Sequence, residues 1–129
     1  MSDSQAYVYK RVVVALNGGP SDARIVRLAA ETTRGGKAEL IAIHVVEIDW
    51  TLPLDADIAG RSEEVQRVLD MAEAVAESAK QQIEPVLLQA RDVGAAIIDE
   101  STERGADLLV VGLPYRKRFG GEFALGRTI

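Results

Sequence analysis

The sequence predicts an α/β domain built on one doubly wound parallel sheet. Three observations point there: short β-branched apolar runs, amphipathic helical stretches alternating with them, and glycine-containing turns at the junctions. With 129 residues, 47% of them hydrophobic, the chain can bury one core.

The elements follow in order. Residues 12–16, Val-Val-Val-Ala-Leu, read as a strand ending at Asn17-Gly18-Gly19-Pro20. Ser21 or Asp22 then offers a side-chain cap to a helix reaching about Arg34, which Gly35-Gly36 stops. Residues 40–46 form a second continuous apolar run, as a strand covered on both faces requires. Trp50 to Gly60, with Pro53 inside, reads as an irregular connection, its Trp50 end covering a sheet edge or subunit contact.

From Ser62, apolar residues recur at three- and four-residue intervals through Val65, Val68, Ala72, Val75, Ala76, Ala79 and Ile83, which predicts a helix over 62–84. Its charged side, from Glu64 to Lys80, reads as a solvated face without catalytic carboxylates. Residues 85–90 are a short strand whose opening Pro85 suits an edge, and Asp92 caps the helix that Gly105 closes. Residues 107–111 complete the alternation of four strands and three helices, which implies right-handed crossovers. Residues 1–9 alone read as loose, leaving 10–129 as the domain.

Composition excludes several classes. Without cysteine and with one histidine, the chain has no disulfide, no redox dithiol and no expected transition-metal site. A formal charge of -5 and a pI near 4.9 argue against nucleic acid as a partner. No leader and no apolar run near about 18 residues occurs, so the expectation is a cytoplasmic protein without direct membrane insertion.

Against that acidic background, four of the 15 basic residues fall in the last twenty positions, with one acid among them. There the apolar run ending at Val111 enters a glycine-rich loop containing Arg116-Lys117-Arg118. Glycines expose backbone N–H groups and arginines add charge-assisted donors, so an anion is the natural occupant. In an open parallel sheet the ligand crevice lies at the carboxyl ends of the strands, where strand order reverses. The turns at Asn17-Gly18-Gly19 and Gly112-Leu113-Pro114 would meet across it, with Val45-Val46 closing the side.

Lys10 to Gly18, Ala38-Glu39-Leu40 leading to His44-Val45-Val46, and Glu103 to Gly112 together resemble the universal stress protein family over nearly the whole chain. The resemblance implies an adenine-nucleotide α-hydrolase-like, Rossmann-like sheet in order 3-2-1-4-5, commonly homodimeric, and a role in stress response. Many members bind ATP through Gly-x2-Gly-x9-Gly-Ser/Thr after the fourth strand. Gly112 matches the first glycine of that motif and Gly126 the third. Tyr115 stands where the second belongs, with Gly120 and Gly121 later in the loop. Arg127 replaces the hydroxyl residue, Thr128 following, and Asn17 stands where the family has aspartate. The implied arrangement puts Asn17 at ribose, Val45 at adenine, and Gly112, Gly120, Gly121, Gly126, Arg127 and Thr128 around phosphate. The sequence has no counterpart of the family's fifth strand, so the expectation is a truncated or disordered C-terminus.

Residues 121–128 superficially imitate a phosphate-binding loop, yet no strand directly precedes them and no acidic strand end is present to hold magnesium. His44 has no adjacent nucleophile or paired carboxylate and reads as a strand-end packing residue. The functional expectation is a nucleotide-binding regulatory module rather than an enzyme, ATP or another adenine nucleotide being its ligand. The alternative is a non-nucleotide dimerisation or interaction module, including the cytosolic domain of a membrane transporter.

Overall fold

The computed structural model of the protein describes residues 8–48, 51 and 62–112. Among them, β1 (Arg11–Leu16), α1 (Asp22–Thr32), β2 (Glu39–Glu47), α2 (Ser62–Ser78), β3 (Ile83–Ala90), α3 (Val93–Glu103) and β4 (Leu108–Val111) alternate as the sequence predicts. All pairings are parallel, in the order β3-β2-β1-β4. The chain steps outward from β1 to β3 and then returns to the other side of β1. The reversal therefore lies between β1 and β4.

Successive residues of a strand face opposite sides, and both sides here are covered. Val12, Val14 and Leu16, with Leu40 and Ala42, pack under α1 and α2 through Val26, Ala29, Val68 and Ala72. Val13, Ile41, Ile43 and Val45 pack on the opposite face against Ala96 and Ile97 of α3. This double coverage is why β1 and β2 read as unbroken apolar runs.

The amino edge of the sheet is held by charge-assisted bonds. Backbone N–H groups of Lys10 and Arg11 each donate to the Asp107 carboxylate at 2.9 Å, fastening β1 to the start of β4. The Arg11 guanidinium donates to Glu39 at 2.8 Å and to the Arg104 carbonyl at 2.6 Å. Arg104 bonds Glu100 at 2.7 Å and Glu84 at 3.5 Å. The Glu100 hydrogen bond outweighs partial burial and, aided by the Glu84 charge, raises the Arg104 pKa above its ordinary value.

Three expectations are corrected. Helix α2 ends at Ser78 and does not reach residue 84. Lys80 adopts φ 63°, the Gln81 N–H returns to the Ala76 carbonyl and the Lys80 N–H to that of Glu77, both at 2.9 Å. These two bonds and the left-handed residue form a Schellman stop. Ile83, assigned by spacing to the helix, is a buried residue of β3 paired with Leu40. At the start of α1, Ser21 makes no side-chain cap bond, and Asp22 turns its carboxylate toward the preceding turn. Pro85 is the third residue of β3 rather than its opening one, although β3 does lie at an edge of the four described strands. Asp92 caps α3 as expected, accepting from the Ala95 N–H at 3.1 Å.

Candidate functional site

Register places the strand ends of the reversal point side by side. Leu16 pairs with His44, and Ala15 with Val111. A cavity of about 390 Å³ opens at these carboxyl ends, in the range of small-molecule sites. Asn17 and Gly18 bound it after β1, Val45 and Val46 on β2, and Gly112 after β4. Glu64, Val65 and Val68 close it from α2, and Val93 and Ile97 from α3.

The β1 turn is organised from within. Asp22 is 3% exposed, and its carboxylate accepts from the Asn17 N–H at 3.1 Å and the Gly18 N–H at 2.8 Å. The Gly19 N–H donates to Asn17 Oδ1 at 2.7 Å. Gly18 has φ +82°, a left-handed conformation that glycine adopts without a Cβ clash. Three consecutive amides are thus engaged, and a carboxylate lies behind them. The turn offers a shape and the Asn17 amide nitrogen, not a nest of free N–H donors.

Gly112 meets the start of α1. A Cβ on it would lie 3.1 Å from Ser21 Cβ and 3.6 Å from Ile25 Cγ2, so β4 leaves the sheet in close contact with that helix. His44 is half-buried, its Nδ1 lying 3.1 Å from the Leu16 carbonyl oxygen. His44 is among the residues lining the cavity, as are Glu47 and Glu64, while no lysine or arginine is among the described residues that do so.

Sequence reasoning placed Asn17, Val45 and Gly112 at one site, and the fold brings all three to this cavity. Gly120, Gly121, Gly126, Arg127 and Thr128 lie outside the described residues, as do Tyr115 and the 116–118 basic run. The sequence pattern presents His44 only as a packing residue and Glu64 only as part of a solvated face. The signal for Glu64 is its place in the first turn of α2, which begins at the carboxyl edge of the sheet. Among the described residues no cluster of histidine and carboxylates could hold a metal ion, and no helix is long and apolar enough to cross a membrane.

Comparison with known proteins gives this geometry a family. The model of the universal stress protein family matches residues 8–129. Sensor protein KdpD of Mycobacterium tuberculosis is 32% identical over 119 residues, which cover 91% of this chain but 12% of that protein. A solved universal stress protein in complex with cAMP has 24% identity and a TM-score of 0.68, over 89% of this chain and 81% of that one. The Archaeoglobus fulgidus universal stress protein in complex with dAMP has 22% identity and a TM-score of 0.67, over 89% and 86%. At those identities the two structures speak for the fold. The family match spans the strands, the turns and the cavity together: the chain belongs to the universal stress protein family.

Proposed function

We propose that the protein is a regulatory module that binds ATP or a related adenine nucleotide in the carboxyl-edge cavity without fast turnover. The observation that carries this reading is the convergence of Asn17, Val45 and Gly112 on one cavity of nucleotide-compatible size. In it, Asn17 faces the sugar, the Val45 backbone meets the base, and Val65, Val68 and Ile97 supply an apolar wall. Gly112, with Gly120, Gly121, Gly126, Arg127 and Thr128, surrounds the phosphates. The described lining has carboxylates and no basic side chain, so this reading assigns the phosphate charge to the residues after Gly112. Solved proteins of this fold in complex with cAMP and dAMP support an adenine ligand bearing phosphate.

Titration calorimetry of the whole chain with ATP, ADP, AMP and cAMP tests the reading. Saturable binding of at least one is expected, and Gly126→Asp should abolish it by setting an anion against phosphate. Silence toward all four at about millimolar ligand overturns it.

The likeness to part of a sensor protein favours a second reading, a non-nucleotide interaction module serving a sensor, acting as a homodimer or on a partner chain. Under that reading, Gly126→Asp alters assembly in sedimentation experiments while no nucleotide binds the parent protein.

A further inference from the structure

We propose that His44 is the hydrogen-bond acceptor with which the cavity reads a sugar hydroxyl of its ligand; this rests on the nucleotide reading above. The imidazole sits at the carboxyl end of β2, beside Leu16 in register. A carbonyl oxygen only accepts, so the 3.1 Å contact with Leu16 requires the hydrogen on Nδ1. The neutral ring then has its lone pair on Nε2. No protein group among the described residues bonds Nε2. With Nδ1 engaged by Leu16, Nε2 is the ring nitrogen left for a ligand in the cavity that His44 helps to line.

The ring's surroundings identify what it would meet. A Cβ built on Gly18 would lie 3.9 Å from His44 Cε1 and 3.8 Å from Val68 Cγ2, so the ring lies against the β1 turn on the α2 side. Val93 and Ile97 approach from α3, on the opposite face of the sheet. A flat base suits that apolar wall, and a sugar suits the turn. Each sugar hydroxyl donates one hydrogen and accepts another. Asn17 Oδ1 is engaged by Gly19, leaving the Asn17 amide nitrogen as the donor on this turn. Asp22 is occupied by two backbone amides. His44 Nε2 supplies the complementary neutral acceptor, so the pair matches a diol from both sides.

Because the chain has a single histidine, its ring nitrogens can be observed without assignment mutants. Long-range proton–nitrogen NMR of the tag-free protein at about pH 8 is expected to show Nδ1 protonated and Nε2 bare. Adding AMP should shift the Nε2 resonance toward the protonated type, and the opposite tautomer or an unmoved Nε2 overturns the proposal. Affinities of AMP, 2′-deoxy-AMP, 3′-deoxy-AMP and IMP are measured in parallel for the parent protein, His44→Phe and His44→Gln. Removing one particular hydroxyl should weaken binding to the parent about tenfold, and His44→Phe should weaken AMP about tenfold while becoming indifferent to that hydroxyl. His44→Gln, which retains an acceptor, should recover part of the loss. Undiminished hydroxyl discrimination in His44→Phe, or coupling only to the base amine replaced in IMP, overturns the proposal. If the parent binds none of the four, the nucleotide reading falls and this inference with it. Should neither variant fold, the parent's NMR titration decides.

Discussion

The carboxylate of Asp22, offered by the sequence as a helix cap, instead fixes the chain that precedes the helix. Two backbone N–H groups at 3.1 and 2.8 Å depend on it, in a position 3% exposed. Asp22→Ala should cost about 3 kcal/mol, since two charge-assisted bonds vanish and two amides lose their partner; Asp22→Asn should cost less. Urea unfolding with an unchanged m-value checks both. Ser101 is the converse case. Its hydroxyl is buried without a partner on the face of α3 that continues from Val93 and Ile97. Ser101→Ala should therefore raise stability, by about 1 kcal/mol, in the same assay. Gly112→Ala should weaken both stability and nucleotide binding, because its Cβ would press to 3.1 Å from Ser21 Cβ and move the β4 exit.

At the scale of elements, two helices end by the same device with different residues. After α3, Gly105 has φ +70°, the Ala106 N–H bonds the Ser101 carbonyl and the Gly105 N–H that of Thr102, both at 3.0 Å. After α2, Lys80 occupies the equivalent left-handed place at φ 63°. A lysine pays a steric penalty there that glycine avoids, so Lys80→Gly should stabilise the fold by about 1 kcal/mol in thermal and urea unfolding. Gly105→Ala should destabilise it by a similar amount. This pair also explains what could be read in advance. The α3 stop was legible because glycine announced it, whereas Lys80 gives no such sign and Ile83 happens to continue the helical period. Asp92 was legible as a cap since it stands just before an apolar stretch, while Ser21 and Asp22 compete for the same place and only the fold decides between them.

For the whole molecule, parallel order and the place of the crevice follow from the alternation of elements, so Asn17, Val45 and Gly112 could be brought together from sequence. His44 and Glu64 could not. They stand twenty positions apart on different elements, and linear spacing does not reveal that β2 and the first turn of α2 share an edge. Their meeting at the cavity depends on register, which a lone strand pattern leaves undetermined. A ligand that binds only the folded state adds stability by mass action, about 2.7 kcal/mol at a hundredfold excess over Kd. Thermal unfolding with increasing AMP should show the melting temperature climbing continuously with concentration.

The two ends of the sheet are each fastened by one aspartate, but only one of these fastenings borders the cavity, and this has a kinetic consequence. At one end the Asp107 carboxylate grips the Lys10 and Arg11 amides irrespective of ligand. At the other, the amides of Asn17 and Gly18 are likewise held by one carboxylate, that of Asp22, but in a turn that borders the cavity. Local opening there does not require the core to separate. Deuterium uptake at the 17–19 turn should accordingly slow sharply once the cavity fills, while the opposite margin keeps one rate throughout, giving the domain a built-in internal clock against which occupancy can be timed.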